Sequence, residues 1–218
     1  MTFRLAAATA LIVAFATGTA NAATLMPVKP CYASSGPATG LLEDIDFQGT
    51  GFEPSTTIEV LIDGVPVGAP PTDAVGRFQI LVDAPYQPSG ERPFTITARD
   101  TVNNLSLTSR VTDLAVTVKP RRAAPDRQVR FRGRGFMRDA PLYAHYVFGG
   151  RDQKTVRMAR RTTGACGTFS VKRRQIPIES PRAGRWRVQF DQRRVYAPDP
   201  NPVWVRIPID VVEVFLEP

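Results

Sequence analysis

Residues 45–52 read Ile-Asp-Phe-Gln-Gly-Thr-Gly-Phe, and residues 129–136 read Val-Arg-Phe-Arg-Gly-Arg-Gly-Phe. The strings align position for position, 84 residues apart. Gly76-Arg77-Phe78 and Gly167-Thr168-Phe169 align likewise, 91 apart, and Val28-Lys29-Pro30 and Val118-Lys119-Pro120 open the two copies. Each copy spans about 90–100 residues, the size of one β-sandwich and too long for a solenoid repeat.

Within each copy the apolar period is two. Ile58, Val60 and Ile62 alternate with Glu59, Leu61 and Asp63, and Phe78, Ile80 and Val82 with Gln79 and Leu81. Trp186, Val188 and Phe190 alternate with Arg187 and Gln189. These are half-buried strands. Asp63-Gly64, Pro70-Pro71, Ser89-Gly90, Gly149-Gly150, Pro181 and Gly184 punctuate them as turns. No segment after residue 22 carries a 3.6-residue stripe, so the pattern is that of a sandwich. Gly49 and Gly51 fall where a strand ends and a bulge or positive φ needs no Cβ. Phe52 is expected to turn inward and plug the sandwich end. No helix follows these glycines, which argues against a phosphate cradle.

The string Gly49-Thr50-Gly51-Phe52-Glu53-Pro54, then 58–64, then Thr72-Asp73-Ala74-Val75-Gly76-Arg77-Phe78, resembles bacterial secreted immunoglobulin-like repeats. The resemblance covers nearly all of 28–118. It is weaker over 118–214, where Gly133-Arg134-Gly135-Phe136 survives but Met137-Arg138 replaces the Glu-Pro step. Such modules occur in adhesins, wall-bound enzymes and exported proteins, so the resemblance implies fold and compartment without chemistry. The expected organisation is all-β: a signal peptide, then two tandem antiparallel immunoglobulin-like β-sandwich domains. Its bounds are 1–22 for the signal peptide, 23–118 and 128–218 for the sandwiches, and 119–127 for a proline-stiffened linker.

Residues 1–22 support that leader. Arg4 precedes an apolar stretch, Leu5 to Ala16, and Ala20-Asn21-Ala22 is a small-x-small cleavage site. The stretch is short for a membrane span, and no second apolar run follows. A secreted or extracytoplasmic protein of the cell envelope is expected.

The formal net charge of +8 hides two opposed halves. Residues 23–118 carry 5 cations and 11 anions, whereas residues 119–218 carry 22 cations, 19 of them Arg, and 9 anions. Asp46 and Gln48 of the first copy correspond to Arg130 and Arg132 of the second, while their neighbours stay apolar. The outward face has changed sign and the inward face has not. By alternation Lys172, Arg174 and Arg157 also point outward, and an A-B-E-D strand order would place these cations on one surface. Arg185, Arg187 and Arg206 would form a second basic cluster on the opposite sheet.

Like charges side by side on a sheet repel, and arginine suits bidentate contact with phosphate or carboxylate. The leading reading is therefore a non-catalytic binding protein that contacts an anionic envelope polymer or polysaccharide. Two others stay open: a solvated face, and self-association through the acidic and basic halves of a structural or accessory protein. Nucleic acid is disfavoured, because few aromatics interleave the cations.

One His and two Cys exclude most zinc sites. Tyr143 and His145 alternate with inward Leu142, Ala144 and Tyr146, so both are expected at the surface. No nucleophile pattern accompanies His145, so no enzyme is expected. Asp44 with Asp46, or Asp63 with Asp73, could ligate calcium, but no spacing requires it. No metal and no cofactor is implied. Cys31 and Cys166 suit one disulfide in an exported chain. Yet with Cys31 at the far pole of the first sandwich, a bridge would need the units to fold back on each other. Otherwise both thiols are free or intermolecular.

Overall fold

The computed structural model describes residues 22–36, 41–121, 123–198 and 204–211. The expected leader lies outside these residues, apart from Ala22. Every regular element described is a strand. The first unit contains β1 (Thr24–Leu25), β2 (Tyr32–Gly36), β3 (Leu41–Leu42), β4 (Asp44–Thr50), β5 (Glu59–Ile62), β6 (Val65–Gly68), β7 (Phe78–Asp83), β8 (Glu91–Arg99) and β9 (Asn104–Thr112). The second contains β10 (Ala115–Lys119), β11 (Gln128–Arg134), β12 (Leu142–Phe148), β13 (Arg151–Ala159), β14 (Phe169–Arg174), β15 (Gly184–Asp191) and β16 (Val205–Val211).

Each unit is two facing sheets with a core between them. Unit one pairs β1-β4-β7 against β3-β2-β9-β8-β5-β6, and unit two pairs β10-β11-β14 against β13-β12-β15-β16. All pairings are antiparallel except β2 with β9. Ile45, Phe47, Phe52, Phe78, Phe94 and Ile96 build the first core. Val129, Phe131, Phe136, Phe169, Trp186 and Phe190 build the second. The chain is therefore two tandem sandwiches of immunoglobulin-like layout. Ala115–Lys119 belong not to the first unit but to the second, as β10 paired with β11, because Leu114, Val116 and Val118 face the second core; the stretch expected as a linker at 119–127 is therefore the β10–β11 connection within unit two.

The repeated motif works through its backbone. Gly51 and Gly135 have φ of 77° and 85°, which turn Phe52 and Phe136 into the two cores at 3% and 4% exposure. The Phe52 amide donates to Gly76 O at 3.1 Å, and the Phe136 amide to Gly167 O at 3.4 Å. The Met137-Arg138 departure leaves the loop conformation unchanged, since Ser55 and its counterpart Asp139 both have φ of 54°. In both units the amide after the Phe is satisfied from just beyond the central strand. Glu53 N donates to Asp100 Oδ2, and Met137 N to Gln192 Oε1.

Cys31 and Cys166 form a disulfide, with Cα atoms 5.1 Å apart. The placement of Cys31 at a far pole is thereby corrected. The first strand is split: β1 pairs with β4 and β2 crosses to the other sheet beside β9, in register Tyr32 to Val111. That puts Cys31 at the pole where the chain leaves for unit two. There Asp113 also pairs with Arg134.

Candidate functional site

The outer face of β10-β11-β14 carries the expected cations. Lys119 pairs in register with Arg130, and Arg130 with Lys172. Three cations thus stand in one row across the sheet, about 4.8 Å apart from strand to strand. Arg132 lies two residues along β11, and Arg174 lies opposite Gln128. Val129, Phe131 and Phe169 are buried on the inner face, which fixes the outward direction of the charges. Lys119, Gln128, Arg130, Arg132 and Lys172 line a groove of about 420 Å³.

Among the described residues, none of Lys119, Arg130, Arg132, Lys172 and Arg174 is in an ion pair. Unit one differs. Lys29, Arg92, Arg99 and Arg110 are paired with Glu43, Asp63, Glu59 and Glu91 respectively. Its face equivalent to the Arg row is acidic, with Asp44 opposite Asp83 and Asp46 opposite Leu81.

Arg157 does not join this face. It sits on β13, which belongs to the other sheet, opposite Tyr143 of β12. The A-B-E-D order fails because the three-stranded sheet ends at β14. The second cluster does form: Arg185, Arg187 and Arg206 line a groove of about 370 Å³ together with Pro208, which is in register with Arg187. Three of the four carboxylates weighed for calcium serve the fold. Asp46 accepts from Gln48 and Gln79, Asp63 from Arg92 and Thr95, and Asp73 from the amides of Val75 and Arg77.

His145 is the main correction. It is 0% exposed, although it lies on the outward side of β12. Residues 192–198 strap over that face and bury it, with Tyr196 against the imidazole at a centroid distance of 5.6 Å. Gln189 holds the strap through Ala197 O at 2.8 Å. Thr155 O–H donates to Asp152 Oδ2 at 2.6 Å, so its oxygen accepts from His145 Nδ1–H at 2.7 Å. Nε2–H faces Asp191 Oδ1 at 3.2 Å and Arg193 O at 3.1 Å. Both ring nitrogens therefore face acceptors, the arrangement of an imidazolium. Tyr143, the other residue expected at the surface, is half-buried.

Burial opposes the charge on His145, but the hydrogen bond and charge of Asp191 outweigh it and leave the pKa above the ordinary 6.5. Burial likewise raises the Asp191 pKa, yet hydrogen bonds from His145, Gln189 and the Arg193 amide bring it below 3.8. The linkage has a definite sign. The His145 contribution is full below pH 6.5 and is lost as pH rises through its elevated folded pKa. The Asp191 contribution is full above pH 3.8 and is lost as pH falls through its depressed one. Unit two is thus expected to lose stability on both sides of a window from about pH 4 to 6.5. Thr155→Val should cost about 1–2 kcal/mol by orphaning Nδ1–H and flatten the alkaline limb. Thermal melts from pH 3 to 10 test this, and an unchanged alkaline limb in the variant would refute it.

No protein-family model matches the chain, and no curated protein matches it in sequence. Solved structures similar to it include the D0-D1 domain of intimin, at 10% identity and a TM-score of 0.30, covering 87% of this chain and 100% of that one. The human OSCAR ligand-binding domain is similar at 10% identity and 0.34, covering 87% and 96%. The fibronectin(III)-like modules of Clostridium thermocellum CbhA are similar at 12% identity and 0.28, covering 90% and 97%. Scores this low transfer no function to the chain.

Proposed function

We propose that this is an exported, non-catalytic binding protein whose second unit holds a linear polyanion, such as an acidic polysaccharide or phosphorylated polymer of the cell envelope. The observation that carries the reading is the row Lys119–Arg130–Lys172, flanked by Arg132, in a groove and without carboxylate partners among the described residues. Cross-strand like charges cost stability, and a bound polyanion removes that cost. The unit-one copy of the same face is acidic, with Asp44 opposite Asp83, so the arrangement is not a property of the scaffold. Export is supported by the leader pattern and by the disulfide, which persists in oxidising compartments. Among the described residues no helix is long and apolar enough to cross a membrane. A non-catalytic role is supported by His145, whose two nitrogens are engaged beneath the strap and offer no base to a substrate.

The test is retention on immobilised heparin. The protein should be retained at low salt and elute as salt rises. R130Q/K172Q should elute markedly earlier, while R157Q, on the other sheet, should shift elution only slightly. Equal shifts for the two variants would refute the assignment of the face. A second reading is favoured by the register Asp44 to Asp83 on the equivalent face of unit one: the acidic face of one copy meets the basic face of another. It predicts light scattering from the protein alone that falls with added salt.

A further inference from the structure

We infer that unit two carries a second polyanion site on its opposite sheet, at Arg185, Arg187 and Arg206, so that one chain can bridge two polymer strands; the inference rests on the polyanion reading above. Arg185 and Arg187 are exposed and alternate on β15 with buried Trp186 and Val188. Their side chains therefore leave the sandwich on the side away from Arg130 and Lys172. Two packed sheets lie about 10 Å apart, and the dry core between them includes Phe131 and Phe190 in ring contact. The two sets of guanidinium groups are thus separated by more than the ~8 Å screening length at physiological ionic strength. They act as two sites.

The second site is preorganised where the first is a row. Arg206 lies over the Trp204 ring, 4.3 Å from its centroid, and donates Nε–H to Gln189 Oε1 at 2.9 Å. Gln189 is itself buried and tied to Asp191 and Ala197. One guanidinium is therefore held in a fixed orientation beside the exposed Arg187. Arg187 is in no ion pair among the described residues. Arg185 meets Asp210 only at 3.9 Å, with both side chains about 70% exposed, so an incoming sulfate or phosphate displaces that carboxylate at little cost. Pro208, in register with Arg187, lies between the arginines on the outer face and lines the groove with an apolar ring. The strap at 192–198 lies over the neighbouring positions Gln189 and His145 of the same face.

Isothermal titration of the full chain at low salt with a heparin tetrasaccharide, short enough to lie on one face, tests the inference by stoichiometry. Wild type should bind two, R130Q/K172Q one, R185Q/R187Q one, and the four-fold variant none, with melting curves confirming that each variant is folded. If R185Q/R187Q keeps the wild-type stoichiometry, the second site is wrong. If wild type binds one tetrasaccharide and R130Q/K172Q loses it, the second site is wrong and the first stands. If wild type binds none, both fall.

Discussion

Gly167→Ala should destabilise unit two by about 3–5 kcal/mol, the sum of a left-handed backbone strain and an overpacking clash. Gly167 has φ of 55°, and a Cβ there would lie 1.8 Å from Phe136 O and 2.5 Å from Phe136 C. Both atoms are backbone and cannot swing aside as a side-chain tip does. Relief requires moving the loop that seats Phe136 and breaking the bonds from Gly135 N to Cys166 O and from Phe136 N to Gly167 O. Gly149→Ala is the matched control: its φ is 57°, but nothing lies within 4 Å of the added Cβ, so only strain of about 1 kcal/mol is expected. Both tryptophans, Trp186 and Trp204, lie in unit two, so their fluorescence in urea reports that unit alone. Equal midpoints for the two variants would show that the loop, not the glycine, carries the constraint.

Removing the disulfide is expected to have an effect of similar size. Cys31→Ser/Cys166→Ser opens a link across 135 residues of chain. Whether that whole loop is released or only the stretch from Leu114 to Cys166, the chain-entropy estimate is about 4–5 kcal/mol. The junction keeps the Asp113–Arg134 pair, the packing of Leu114 into the second core and the direct passage from β9 to β10. The same tryptophan signal should move to lower urea in the double variant, and wild type under reducing conditions should follow it. A midpoint unchanged in the double variant would refute this contribution of the disulfide.

The fold was legible wherever a local backbone rule had one solution. Positive φ at Gly51 and Gly135, close approach at Gly76 and Gly167 and inward Phe52 and Phe136 all leave residue types that a reader can align. The convergence of Arg130 with Lys172 followed from period-two alternation on neighbouring strands. Three features depended on longer-range partners. Arg157 lies off the basic face because period-two alternation gives which side of a strand a residue faces but not which sheet the strand joins. The two-residue Gly149-Gly150 turn already forces β13 to pair with β12, which puts it outside the β10-β11-β14 sheet. The position of Cys31 is hidden because the first strand is split around Pro27 and Pro30, and a two-residue β1 leaves no alternation to read. The burial of His145 is invisible to alternation because it comes from the 192–198 strap. The signal available was polar Gln189 and Asp191 at outward positions beside it, with a connection between β15 and β16 far longer than a hairpin needs.

Charge on an otherwise shared scaffold is what we hold responsible for binding, and the slope of log affinity against log salt for heparin measures it. In the R130D/R132Q variant, two positions of unit two take the residues that unit one carries at the equivalent sites. Wild type should show a steep linear fall in affinity with salt. The exchange variant should bind more weakly at low salt and with a visibly shallower slope. The same slope and affinity in both proteins would contradict the account.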